Sequence, residues 1–244
     1  MADRPRVDGE QAFVLHAYPF RETSLLIELF GRARGRMAVL AKGARRPRSA
    51  LRGLLLAFQP LVVGWAGKGE VRTLTKAEWR GGHPLLAGEA LLCGFYLNEL
   101  LLRLLPREDA HDALFDAYAD TVAGLGRGLP SAPLLRSFES RLLKELGYAL
   151  TLDRDAASGR PIDPDALYRY EPEQGPVGVA PGVAEGGAGG LVFRGQTLLE
   201  IGRDDYRDPR TLQQGKLLMR LLIDHRLERR PLASRRIFHE LQQL

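Results

Sequence analysis

The stretch AFVLHAYPFRETSLLIELFGRARGRMAVLAKGARRPRS (12–49), followed by PLVVGWAGKGEVRTLTKAEW (60–79), decides the fold of this chain. Within it, AFVLHAY (12–18), SLLIELF (24–30) and RMAVLA (36–41) are short runs of β-branched and large apolar residues. PLVVGWAG (60–67) and EVRTLTKAEW (70–79) follow, joined through Gly67-Lys68-Gly69, a hairpin signal. Five short strands in so few residues predict a small closed or nearly closed barrel. An SH3-like barrel and an OB-fold both answer to this pattern, and the count of five favours the OB-fold.

The same stretch is electrostatically one-sided. Between Glu28 and Glu70 there is no acidic residue, while Arg32, Arg34, Arg36, Lys42, Arg45, Arg46, Arg48, Arg52 and Lys68 are all basic. Elsewhere the two signs mix, and the net charge of the whole chain is only +5. A surface unrelieved by carboxylates attracts a polyanion, and nucleic acid is the usual one. GRARGR (31–36) and KGARRPRS (42–49) flank the third strand, and arginines on a barrel rim can hold phosphates in bidentate fashion. The alternative is a solvated basic loop. With no acid nearby in sequence, these charges are expected to lack an internal partner. Phe58, Trp65 and Trp79 are the candidate base-stacking rings, although rings at strand positions more often belong to a core. Few base-reading signals occur, so binding through the phosphate backbone, independent of sequence, is expected.

Beyond Pro84 the period becomes helical. Gly88–Leu105 is apolar on most sides and predicts a buried helix. Asp109 reads as the N-cap of a second helix, with Asp112 in its first turn and Gly124–Pro130 as its break. A third runs from Ser131 to Gly147. Periodicity is lost over 151–190, where PGVAEGGAGG (181–190) is a flexible low-complexity loop. Asp208-Pro209 is an N-cap and N1 pair opening a helix to about Leu227, and Pro231 opens the last. The fold class is therefore α+β in two domains: residues 1–82 an OB-fold nucleic-acid-binding barrel, and 83–244 a helical domain with an irregular insertion at about 151–190.

Other chemistries find little support. The single cysteine, Cys93, excludes an intramolecular disulfide and a cysteine cage, and its apolar helix makes it a core residue. His16, His83, His111, His225 and His239 are scattered without metal-ligand spacing, and no nucleophile elbow or P-loop occurs. GLGRG (124–128) reads as a linker. Asp153, Asp155, Asp163 and Asp165 could hold Mg²⁺ in a nuclease, but they lie in a Pro-containing loop beside Arg154 and Arg160 and read as solvated acids. No cofactor is expected. The polar start MADRPRVDGEQ lacks the apolar core of a signal peptide, and no apolar run is long enough to span a bilayer, so a soluble, cytoplasmic protein is expected. Leu134, Leu135, Phe138, Leu142 and Leu146 form an apolar helix face with Arg136 and Arg141 off it. That is the pattern of a bundle helix or of a groove for an acidic peptide end.

Five stretches together resemble the RecO family of bacterial recombination mediators: residues 12–49, GKGEVRTLTKAE (67–78), FYLNELLLRLLPREDAHDALFDAY (95–118), LLRSFESRLLKELGY (134–148) and KLLMRLLIDHRLERRPLASRRIF (216–238). NELLLRLLP, LLRSFE and PLASRRIF are specific in combination. The resemblance implies an N-terminal OB-fold and a C-terminal helical domain. It implies binding of single- and double-stranded DNA and annealing of complementary strands. It also implies partnership with RecR and with the acidic C-terminal tail of the single-strand binding protein, helping RecA to load, in the nucleoid. Lys42, Arg45 and Arg46 of AKGARR match the basic motif of the barrel; Arg32, Arg34, Arg36 and Arg48 join them on charge alone. Arg136 of LLRSFE matches the arginine assigned to the acidic tail. In many members a zinc-binding CxxC follows the LGY segment. Here RDAASG puts Asp155 and Ser158 in its place, so the chain resembles the zinc-free branch, whose loop must be held by packing alone.

Overall fold

The computed structural model describes residues 6–82, 84–148, 150–180, 182, 192–228 and 230–241. His83 and nearly all of the 181–190 loop lie outside these residues, as does the side chain of His239. The chain forms two compact units, one of residues 1–131 with 232–244, the other of residues 132–231. Compactness thus groups three helices with the barrel, whereas composition divides the chain at 82/83.

In the first unit, β1 (Arg6–Phe20), β2 (Ser24–Gly31), β3 (Gly35–Ala41), β4 (Leu61–Ala66) and β5 (Val71–Trp79) close a barrel in the order β1-β2-β3-β5-β4. All neighbours are antiparallel except β3 and β5, whose parallel pairing at Ala38 to Leu40 completes the closure. This is the OB-fold expected from five strands, and closure leaves no sheet edge open. Alternation fills the interior: Val14, Ile27, Leu29, Met37, Val39, Leu61, Val63 and Trp65 meet in one cluster. Trp65 and Phe58 are therefore core residues, whereas Trp79 stays 58% exposed.

The outer face of the barrel carries a second apolar layer. Phe13 and Phe30 pack against Phe115 and Tyr118 of α3 (Asp112–Gly126), with ring centroids 5.0 to 6.0 Å apart. Asn98 of α2 (Gly88–Leu104) ties the layers together: its Nδ2 donates to the Leu15 carbonyl at 2.8 Å and its Oδ1 accepts from the Tyr118 hydroxyl at 2.6 Å. Burial pushes the Tyr118 hydroxyl far above its ordinary range. Cys93 is buried in α2, as its surroundings predict. His111, not Asp109, occupies the N-cap position of α3, and the helix runs through Gly124 to Gly126 before it stops. The last helix, α7 (Ala233–Leu241), starts two residues after Pro231. Glu99 of α2 caps it, accepting from the backbone of Ala233 at 2.9 Å and from the backbone and hydroxyl of Ser234 at 2.8 and 2.6 Å.

The second unit holds α4 (Ser131–Glu145), α5 (Gly195–Gly202) and α6 (Pro209–Arg226). At α6 the expected cap is present, with Asp208 accepting from Arg210 N at 2.8 Å and Pro209 in the first turn. The insertion is not wholly irregular. Its residues include β6 (Leu167–Glu171) and β7 (Gly175–Gly178), which with β8 (Val192–Arg194) make an antiparallel sheet in the order β7-β6-β8. Tyr168 and Tyr170 alternate inward along β6. Strands of three to five residues between Pro and Gly carry too little pattern to be read from sequence. No helix among the described residues is long and apolar enough to cross a membrane.

Candidate nucleic-acid interface

The two basic runs that flank β3 have different fates. KGARR (42–46) is built as an exposed display. Ala44 is fully buried and joins the barrel core, so one small side chain pins the loop to the barrel end. Gly43 takes a φ of +69°, which turns the chain between exposed Lys42 and buried Ala44. The loop is then docked on the β1–β2 turn. Arg45 N donates to the Thr23 carbonyl at 2.8 Å, and Arg45 Nη1 to the Arg21 carbonyl at 3.2 Å. Lys42, Arg45, Arg46 and Arg48 are all exposed, and none forms an ion pair among the described residues. Lys42 and Arg46 border a cleft of about 510 Å³ that Phe20, Arg21, Glu22 and Thr23 close from the other side. Arg52, in the short α1 (Leu51–Leu54), extends the exposed positive charge.

GRARGR (31–36) is largely committed inward, which corrects the expectation that the basic residues lack internal partners. Arg32 makes a two-pronged ion pair with Asp116 of α3, one arm at 2.8 Å. Arg36 lies half-buried, with Nη1 3.4 Å from Glu28 and Nε donating to the Leu105 carbonyl at 3.1 Å. Glu28 also binds Arg107, and burial lowers the Arg36 pKa against the opposing pull of Glu28. The turn itself is sewn down, with Ala33 N donating to Glu10 Oε1 at 2.7 Å and Glu108 N to the Arg36 carbonyl at 2.9 Å. Of the arginines in this run only Arg34 is exposed. The acid-free window is real along the chain, but Asp116 lies far beyond it and Glu28 sits at its border.

Arg21 escaped sequence reading. It lies outside the window, beside Glu22, yet it is exposed in the same cleft as Lys42 and Arg46. Its left-handed φ of +51° and its guanidinium 5.4 Å from the Phe20 ring are the local signs of a shaped turn.

Arg136 sits elsewhere in character. It is buried, 7% exposed, and donates from Nη2 to Glu139 Oε1 at 2.6 Å; Glu139 is 1% exposed. The buried face of α4 thus includes Arg136 and Glu139 with Phe138, Leu142 and Leu143, instead of leaving Arg136 beside an apolar stripe. An i,i+3 pair of opposite charge is what lets both enter.

The four insertion acids do not converge. Among the described residues no three His, Cys, Asp or Glu side chains come together at metal-binding distance. Asp163 Oδ1 accepts from Asp165 N at 3.0 Å.

Family models described as recombination protein O N terminal and recombination protein O C terminal match residues 9–83 and 85–236. The chain belongs to the RecO family. RecO relatives named "DNA repair protein RecO" cover it end to end. That of Aromatoleum aromaticum is 57% identical over 244 residues, with all of both chains aligned. That of Dechloromonas aromatica is 57% identical over 245 residues, 99% of each chain, and that of an Azoarcus species is 54% identical over the full length of both.

Within this RecO chain, Asp155 does the organising work in the loop that lacks the paired cysteines. Its Oδ1 accepts from Ala157 N at 2.8 Å and Ser158 N at 3.1 Å, and its Oδ2 from Gly178 N at 3.2 Å. One carboxylate therefore closes the 155–160 turn and fastens it to β7. The residues do not fit a thiolate zinc site, and the loop has hydrogen bonds as well as packing to hold it. The bonds from Ser158, with those from Ala157 and Gly178, hold the Asp155 carboxyl below its usual range. A carboxyl with a depressed folded pKa stabilises above its unfolded value, about 3.9, and that contribution is lost as pH falls through the lower folded value. Asp155→Asn is expected to lower the denaturation midpoint at pH 7 and to differ much less from wild type near pH 3. Equal differences at both pH values would contradict this role.

Proposed function

We propose that this chain is a DNA repair and recombination mediator without catalysis of its own. It binds single- and double-stranded DNA through the exposed loop of Lys42, Arg45, Arg46 and Arg48, with Arg21 at its margin and Arg34 exposed at the opposite end of β3. The observation that carries this reading is the loop's construction: Ala44 buried, Gly43 turned, and four cations presented without a carboxylate partner. Arg32 and Arg36, already paired with Asp116 and Glu28, serve mainly to join the barrel to α3 and to the segment before it.

The mechanism is electrostatic. Two complementary strands repel through their phosphates. Cations on a compact barrel neutralise part of that charge and release counterions, so the strands meet, and pairing then draws on base stacking that the protein need not supply. Membership of the RecO family supports RecR and the acidic tail of the single-strand binding protein as partners, with RecA loading as the consequence in the bacterial cytoplasm. In this reading Arg136 contributes to the tail site in exchange with Glu139, since the pair is buried and already neutral.

If four cations each meet a phosphate, log affinity for duplex falls with log salt at a slope of about −3.6, and about −2.8 for a single strand. Arg45→Glu with Arg46→Glu is expected to weaken binding of every sequence alike and to flatten the slope by about 2. Loss on one sequence only, or an unchanged slope, would contradict the backbone mode. Strand length after incubation with Mg²⁺ or Mn²⁺ should not change; shortened strands would favour a nuclease, and selective binding of RNA an RNA-binding barrel.

A further inference from the structure

Against β2, strand β1 changes phase at a bulge between Val14 and His16, with Leu15 the extra residue. Before the bulge Phe13 is buried against the rings of α3, and Leu15 in the bulge is buried as well. After it, His16, Tyr18 and Phe20 alternate outward and are exposed, Tyr18 by 46% and Phe20 by 37%. Ala17 between them packs inward on the barrel core. The His16 and Tyr18 rings touch, with centroids 4.3 Å apart. Phe20 ends the row at the cleft that holds Arg21, Lys42 and Arg46, and Glu22 is the acid in that cleft.

We propose that this row is a base-stacking strip for single-stranded DNA, continuous with the cationic loop. The inference rests on the DNA-binding reading above and adds to it the contact with bases. Two observations favour a nucleic acid over another occupant. The row runs directly into the exposed cations Arg21, Lys42 and Arg46, suited to a phosphate chain. Its rings lie along one strand, His16 and Tyr18 in contact at 4.3 Å and Phe20 beyond them, so they offer two successive ring surfaces to the bases of an extended strand. Stacking of this kind tolerates any base, in keeping with sequence-independent binding. It also gives the protein a reason to prefer single strands at a surface whose charge alone would take either form.

The test compares an oligothymidylate with an abasic oligonucleotide of the same length and phosphate count, and with a duplex. Wild type should bind the thymidylate between about 5-fold and 100-fold more tightly than the abasic strand for each ring engaged. His16→Ala with Tyr18→Ala should remove most of that preference while leaving duplex affinity and the salt slope unchanged. His16→Leu with Tyr18→Leu, which keeps the face apolar, should do the same and controls for folding. Equal affinity of wild type for the two single strands, or a preference that survives both variants, overturns the strip and leaves the cationic loop standing. Absence of binding to all three ligands at low salt overturns both.

Discussion

Arg136→Ala is expected to cost about 3–5 kcal/mol of stability, read as a lowered urea midpoint with little change in slope. The reason is what the substitution leaves behind. Glu139 is 1% exposed, and its carboxylate loses the guanidinium 2.6 Å away. An exposed arginine at the lip of a groove would cost less than about 0.5 kcal/mol. Arg136→Leu with Glu139→Leu should recover most of the loss, because replacing both charges leaves neither of the two to be held in the interior. The pair of variants also separates two roles. If the double variant is stable yet no longer takes an acidic peptide ending in apolar residues, Arg136 is a binding residue as well as a structural one. If Arg136→Ala is as stable as wild type, the buried pair does not hold α4 as described.

Gly35→Ala should be comparably severe, at about 4 kcal/mol or more. A methyl group there would stand 1.7 Å from the Asp109 carbonyl oxygen, and φ is +65°. Backbone cannot swing aside as a side chain can, so the turn would have to leave the segment before α3. Glu108 N donates to the neighbouring Arg36 carbonyl, and that bond would be lost with it. Gly43→Ala makes the informative comparison. Its φ of +69° is alike, but the nearest atoms are those of the flexible Arg46 side chain at 3.4 Å. Only the conformational penalty of about 1 kcal/mol should appear. Similar losses for the two glycines would contradict the view that one basic run is fastened down and the other displayed.

The contrast between those runs marks how far the sequence is legible. The barrel strands could be read because each alternates over several residues and is bounded by glycine turns; Gly67-Lys68-Gly69 connects β4 and β5 as expected. The Asp208-Pro209 cap is a local signal, and local signals survive folding. Trp65 is buried and Trp79 exposed although both lie on the core-facing side, Trp79 opposite Leu61, because Trp79 stands at the very end of β5, a difference of position along the wall that composition does not record. The same limit hid the row His16, Tyr18 and Phe20, whose exposure follows from a bulge and from where the covering helices end. The acid-free window misled at Arg32 because Asp116 arrives from 84 positions away. The burial of Arg136 is not legible in the sequence, because two opposite charges can enter an interior together, which no apolar pattern reveals.

Annealing of two complementary labelled oligonucleotides, with no nucleotide or metal present, tests the electrostatic mediator most directly. Faster annealing at low salt, loss of the acceleration as salt rises, full-length strands throughout, and little acceleration by the Arg45→Glu, Arg46→Glu protein are expected. Binding without any acceleration, or acceleration indifferent to salt and to those two arginines, would contradict it.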